Sequence, residues 1–343
     1  MDTAYTFDDL YIIPRYSEIE SRSDVNLQTR FTRNFNMDIP LIAAPMDSVC
    51  GSSMAFHMSL SGGVGCIHRF CSIEEQLEML EEAQYPILHS HQVFCAAIGV
   101  NGDFEERADA LVSGGATVLL IDIAHGHHIA MKRALALLNN KSWRSNVDII
   151  AGNIATIEAA RDLESWGADA LRVGIGGGSM CTTRVMTGVG VPQLQTIIDI
   201  APNVNIPVIS DGGIRSPGDV AKCLAAGADS VMIGNLFSGC NESPGDVFTT
   251  GVFPNERRQK VYQGSASMSA KSANGKMVNN IEGTAHLVDA KGPIKNVVET
   301  ILDGVRSSMS YTGSQNLEHF HTNARFNRVT TAGLIEAHPH GAR

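Results

Sequence analysis

The sequence predicts an α/β fold, a (β/α)8 barrel. Three observations lead there. Eight short apolar segments recur along the 343 residues, helix-like stretches separate most of them, and the reactive polar residues gather just after the apolar segments. Parallel strands covered on both faces read as unbroken apolar runs. Strand–helix alternation builds a parallel sheet, and a barrel of this kind carries its active site at the C-terminal strand ends. A doubly wound open sheet is the alternative. It is weakened because no Gly-x-Gly-x-x-Gly with a following acid opens the chain.

In chain order the apolar segments are 40–46, 64–68, 94–100, 118–123, 148–154, 170–175, 207–213 and 230–235. Helix-like stretches include 72–83, 104–112, 157–166 and 217–226, each closing near a glycine or small-residue turn such as 167–169 or 227–229. Asp47, Asp122, Asn153, Asp211 and Asn235 then fall at the C-terminal ends of strands, where a barrel places chemistry. After the eighth segment comes a long polar stretch, 256–283, rich in Ser, Asn, Lys and Gly. Its composition predicts a weakly structured lid. A helix is expected over 294–306, and 334–343 shows no core pattern. The whole chain, 1–343, reads as one barrel domain.

With 43% hydrophobic residues the chain can bury a sizeable core. Its longest apolar runs, such as 118–123, are too short to span a bilayer, and no basic-then-apolar leader opens it. The expectation is a soluble, cytoplasmic protein without a membrane partner. Seven cysteines make an odd count and none forms a Cys-x-x-Cys pair, which disfavours a zinc or thioredoxin-like site. Cys66 and Cys95 sit in apolar runs and read as inert core residues. A net charge of −10 argues against a nucleic-acid partner. It leaves room for a phosphorylated small molecule held by backbone N–H groups.

Residues 174–193 read Gly-Ile-Gly-Gly-Gly-Ser-Met-Cys-Thr-Thr-Arg-Val-Met-Thr-Gly-Val-Gly-Val-Pro-Gln. Consecutive glycines let the backbone turn tightly and approach a ligand. They deliver one thiol, Cys181, beside Ser179, Thr182 and Thr183, which is the setting of a covalent nucleophile. Backbone donors of the following helical segment are expected to stabilise its thiolate. Thr183 is placed to meet substrate or leaving group, and Arg184 reads as a salt-bridge residue. Ser210-Asp211-Gly212-Gly213-Ile214 and Ile233-Gly234-Asn235 end the last two strands, where barrels often hold phosphate. His125, His127 and His128 do not read as a metal site. A glycine-bearing turn does not fix three imidazoles, and no nearby carboxylate orients them.

The 174–193 loop closely resembles the catalytic loop of the IMP dehydrogenase/GMP reductase family, and the resemblance covers nearly the whole chain. It implies that Cys181 attacks C2 of a purine nucleotide and that a hydride passes between that carbon and a nicotinamide cofactor. Thr183 and Glu282, the latter in Asn-Ile-Glu-Gly at 280–283, would form the proton relay. Asp211 would bind the ribose hydroxyls. Ser179, Gly213, Gly234 and Asn235 would hold the 5′-phosphate, Asn235 standing where serine or glycine is common. Met46, Tyr262 and Gly264 would complete the substrate contacts. Asp122, Asn153 and Gly174 would meet the cofactor. Carbonyls of Gly176, Gly178 and Cys181 would hold a potassium ion, and 332–338 is similar to a tail that completes this site from a neighbouring subunit. A homotetramer is implied.

The two branches of the family differ in how the cysteine adduct is resolved. By resemblance, the dehydrogenase hydrolyses the thioimidate E-XMP* with an arginine base in an Arg-Tyr pair on its flap. Here 264–283 contains two lysines, no arginine and no tyrosine. No pair of CBS modules is inserted after the second strand and its helix, where only 84–93 bridges the gap. The stretches 62–69 and 191–193 and the Asp122-Ile-Ala-His-Gly-His run instead resemble bacterial dehydrogenases. Weighing the flap most, because it bears on the chemical step, the expectation is the reductase branch with NADPH. The dehydrogenase branch, IMP with NAD and water, is the alternative.

Overall fold

The computed structural model describes residues 3–84, 93–264 and 284–337. Eight parallel strands close into a barrel: β1 (Leu41–Ala43), β2 (Val64–Ile67), β3 (Cys95–Ile98), β4 (Val118–Asp122), β5 (Asp148–Ile154), β6 (Ala170–Val173), β7 (Val208–Asp211) and β8 (Ser230–Ile233). Closure comes from β8 pairing with β1, Met232 opposite Ile42. Each strand is followed by a helix: α1 (Ser52–Leu60), α2 (Ile73–Gln84), α3 (Phe104–Ser113), α4 (Ile129–Asn139), α5 (Ile157–Ser165), α6 (Gln193–Ile200), α7 (Pro217–Ala225) and α8 (Ile294–Tyr311). Every strand segment read from the sequence therefore contains a barrel strand.

Alternation along the strands divides the core in two. Ile42, Val64, Cys95, Leu120, Ile150 and Met232 fill the barrel interior. Their neighbours Leu41, Ile67, Ile98, Leu119, Ile149 and Val231 pack outward against the helices. Both faces are apolar, which is why the strands read as continuous runs. Cys66 and Cys95 are free and buried inside the barrel, with burial first pushing the Cys66 thiol well up.

A hairpin, Thr29–Arg30 with Asn36–Met37, lies under the N-terminal strand ends. Phe31 and Met37 join the interior core there. Thr32 Oγ1 donates to Asp148 at 2.6 Å, while Arg33 and Arg30 pair with Asp169 and Asp229.

Two features differ from the sequence expectation. Residues Arg257–Gln263 form the central strand of an antiparallel sheet with Phe248–Thr250 and Ala285–Asp289, so the start of the polar stretch is ordered. Its buried positions are Lys260 and Tyr262, and the Lys260 ammonium donates to the carbonyls of Cys240 and Ser243. A polar strand whose backbone is satisfied by pairing carries little hydropathy signal. The helix begun at Ile294 runs to Tyr311 and stops before Gly313, whose φ is 66°. Thr331–Glu336 is a short helix with no buried residue. Residues 265–283, and with them Glu282, lie outside the described residues.

Candidate active site

The C-terminal ends of the strands open into a cavity of about 710 Å³. The glycine loop after β6 crosses it, and the turn after β7 lies against that loop. Gly212 has φ 106°, and a Cβ there would sit 3.1 Å from the backbone of Gly177 and Gly178. The two turns can approach this closely only because both are glycine.

Cys181 is half-buried in the cavity wall, and its sulfur shares a hydrogen bond with Thr183 Oγ1 at 3.1 Å. The Cys181 amide donates to the Gly178 carbonyl at 3.0 Å. One turn of helix, Thr183–Thr187, follows. Arg184 forms no salt bridge among the described residues. Its guanidinium instead donates to the carbonyls of Ile175 and Val191, clamping the two ends of the loop. Gln193 does the same from behind, donating to Val173 O at 2.8 Å and Ser210 Oγ at 3.0 Å.

At one end of the cavity Ser179, Gly213, Gly234, Asn235, Met46, Tyr262 and Gly264 converge, all lining it. Ser179 Oγ donates to Tyr262 Oη at 3.4 Å, and that hydroxyl reaches Met46 Sδ at 4.0 Å. A Cβ on Gly234 would lie 2.9 Å from Tyr262 Oη. Burial pushes the Tyr262 phenol up, so it stays a neutral donor. Thr284, the first described residue after the flap, donates its amide to Met180 O at 3.1 Å.

The other end holds Asp122, Asn153, Gly174 and Asp211. Asn153 Nδ2 donates to Asp211 Oδ2 at 2.7 Å and to Gly174 O at 2.8 Å. Two residues not singled out in the sequence complete this wall. Arg172, on β6, pairs with Asp122 at 2.5 Å and Asp211 at 2.8 Å. Burial alone would lower its guanidinium, but the two carboxylates outweigh that and raise it. Arg69 donates to the Asp122 carbonyl at 2.9 Å and lies over the Phe70 ring. The available signal was a charge inside the apolar strand Ala-Leu-Arg-Val, which a buried arginine occupies only when paired.

Asp47 is turned away from this group and accepts from Gln263 Nε2 at 2.7 Å, tying the β1 loop to the outer sheet. His127 corrects the expectation that no carboxylate orients it. Asp162, on α5, meets its ring at 2.9 Å. His128 is used differently, accepting the Ala130 amide to cap α4. Among the described residues no group of three or more His, Cys, Asp or Glu could hold a metal. No helix among them is long and apolar enough to cross a membrane.

The arrangement offers a thiol beside a hydroxyl, backbone donors and a phenol at one end, and a carboxylate–guanidinium chain at the other. Such a set can bind a phosphorylated sugar and attack an electrophilic carbon next to it.

Comparison with known proteins agrees. Residues 4–340 match the model of the IMP dehydrogenase / GMP reductase domain. Inosine-5′-monophosphate dehydrogenase of Nitrosopumilus maritimus (strain SCM1) is 33% identical, over 98% of each chain. That of Cryptosporidium parvum is 37% identical, over 98% of this chain and 94% of its own. GMP reductase of Leishmania major is 32% identical, over 98% and 96%. Among solved structures, a cysteine-to-alanine variant of GMP reductase from Trypanosoma brucei in complex with guanosine 5′-monophosphate superposes with a TM-score of 0.94. It is 30% identical, over 100% of this chain and 99% of its own.

Proposed function

The chain belongs to the IMP dehydrogenase/GMP reductase family, an oxidoreductase family acting on purine nucleotides, and from that premise we propose that it is a GMP reductase. The observation that carries the choice is the flap sequence: 264–283 holds no arginine and no tyrosine. Hydrolysis of a thioimidate needs a strong base to activate water, and this flap lacks the Arg-Tyr pair that would supply it in the dehydrogenase branch.

In this reading Ser179, Gly213, Gly234, Asn235, Met46, Tyr262 and Gly264 bind the phosphate and base of GMP, and Asp211 takes the ribose hydroxyls. Cys181 forms a bond to C2. Thr183 and Glu282 deliver a proton to the C2 amine, the C–N bond breaks, and ammonia leaves with Cys181 attached as the thioimidate. When bound, NADPH supplies the hydride. The C2–S bond then breaks, the sulfur keeps its electron pair, and IMP is released. Asp122, Asn153 and Gly174 line the cavity where the nicotinamide and its ribose would lie, and the cavity exceeds what one mononucleotide fills. Carbonyls of Gly176, Gly178 and Cys181 form the proposed potassium site. Exposed Val185, Met186 and Val189 beside the catalytic loop form an apolar surface that a neighbouring subunit would cover; the homotetramer and the cytoplasmic location are proposed from the family resemblance.

The second reading is IMP dehydrogenase, favoured by the relatives of that name at 33–37% identity. The missing insertion does not sort the branches, because the matches to relatives of both names run beyond 470 positions. Absorbance at 340 nm decides. Consumption of NADPH with GMP and release of ammonia are expected; XMP made from IMP and NAD, with GMP ignored, would reverse the assignment. A mass increment on Cys181 separates either enzyme from a binding protein that only kept the site.

A further inference from the structure

We propose that Arg172 is a positioning residue that makes the nucleotide and cofactor halves of the cavity bind cooperatively; this rests on the subsites assigned above. Arg172 lies in β6, all of whose residues are buried. It touches two cavity-lining carboxylates, Asp211 assigned to the nucleotide ribose and Asp122 to the cofactor. Nη1 donates to Asp122 Oδ1 at 2.5 Å and Nε donates to Asp211 Oδ2 at 2.8 Å. Asp122 ends β4 and Asp211 ends β7, so one guanidinium joins strands on both sides of its own.

Each carboxylate gives Arg172 one oxygen and keeps the other. Asp211 Oδ2 is shared with Asn153 Nδ2, whereas Oδ1 takes no hydrogen bond from the described residues and Asp211 faces the cavity. Asp122 Oδ2 lies 3.4 Å from Arg69 Nε. A vicinal diol donating to Asp211 Oδ1 fixes the plane of that carboxylate and, through Nε, the guanidinium. The group is planar and rigid, so its Nη1 arm is fixed with it. Asp122 is then oriented before a second ligand arrives. The cost of ordering the chain falls on whichever ligand binds first, and by linkage the effect is equal in both directions. Lysine cannot substitute, because one ammonium on a flexible stem does not hold two carboxylates in a fixed relation.

The test uses full-length Cys181→Ala protein, in which GMP and NADPH remain unreacted. NADPH is titrated calorimetrically with and without saturating GMP. GMP should tighten NADPH by about fivefold or more. Adding Arg172→Lys should bring that ratio to about one. Adding Asp122→Ala instead, which removes the oxygen that accepts from Nη1 and leaves the Arg172–Asp211 pair in place, should do the same. Melting curves confirm that each variant is folded, and Asp122→Ala serves if Arg172→Lys is not. A purely structural role would weaken both ligands and leave the ratio unchanged. An unchanged ratio in a folded variant, or a ratio of one with Arg172 intact, overturns the proposal. IMP and NAD are titrated in parallel. Coupling seen only with that pair supports the role of Arg172 while rejecting the reductase reading, and no binding of either pair removes both.

Discussion

Cys181 reaches the cavity because the residues around it have so little side chain. A Cβ on Gly176 would lie 2.5 Å from Arg184 Cγ, and one on Gly190 2.6 Å from it, so glycines make the space through which Arg184 clamps the loop. Arg184→Ala removes charge-assisted bonds to two carbonyls. It should lower kcat/KM by about 100-fold through misplacement of the thiol, with kcat falling more than KM rises. A loss confined to KM would show that the clamp serves binding only. Cys181→Ala should abolish turnover with either substrate pair, and residual turnover would remove it as nucleophile. Thr183→Val should cost about 100-fold in kcat if the hydroxyl relays a proton; a change within twofold would exclude that. The thiol was legible because glycines, a cysteine and two threonines occur in one uninterrupted stretch. Arg172 was not, because its partners Asp122 and Asp211 are distant in sequence and only barrel closure brings them to one guanidinium.

At the level of elements, legibility followed burial. A parallel strand covered on both faces, such as Asp148–Ile154, announces itself by composition. The outer strand Arg257–Gln263 does not, since it is held by backbone pairing and by a buried lysine whose ammonium is satisfied by carbonyls. The pairing of Leu10–Ile12 with Phe326–Arg328 was silent for the same reason, three-residue strands carrying no periodicity. The short helix Leu317–Asn323 adds a pH-dependent contact. His321 Nε2 meets the Ala228 carbonyl at 3.1 Å, and burial first holds its imidazole below the usual range. In the unfolded chain the ring titrates near about 6.5. As pH falls through that value the unfolded state takes up a proton that the folded state refuses, so stability falls until the folded-state pKa is passed. His321→Gln should therefore lose less Tm than the natural chain between about pH 7.5 and 5.5, the window set by that unfolded value. Parallel Tm profiles would show that His321 is not a source of the acid sensitivity.

Across the whole molecule the two ends of the barrel have separate duties. The cavity with its thiol and carboxylates lies at the C-terminal end. At the other end Asp148 is buried and accepts from Thr32 Oγ1 at 2.6 Å, the Asn34 amide at 2.9 Å and Asn34 Nδ2 at 2.8 Å, holding the N-terminal hairpin under the strands. Removing that carboxylate leaves the buried Thr32 hydroxyl without its acceptor, whereas exposed Asn34 can turn to water, at a cost of about 1–3 kcal/mol. Asp148→Ala should therefore lower Tm by about 1–4 °C while kcat per folded molecule stays unchanged. Asp211→Asn should move the other axis. The amide retains an oxygen for Arg172 and Asn153 but withdraws one of the two charges that balance the buried guanidinium, so Tm falls as well, while KM for the nucleotide rises at least about tenfold, a loss that Asp148→Ala does not share. Scoring both variants by melting temperature and by initial rate places each on two axes. If Asp148→Ala slowed catalysis as much as Asp211→Asn did, the hairpin would be mechanically coupled to the cavity, and the division of labour between the barrel's ends would fail for this chain.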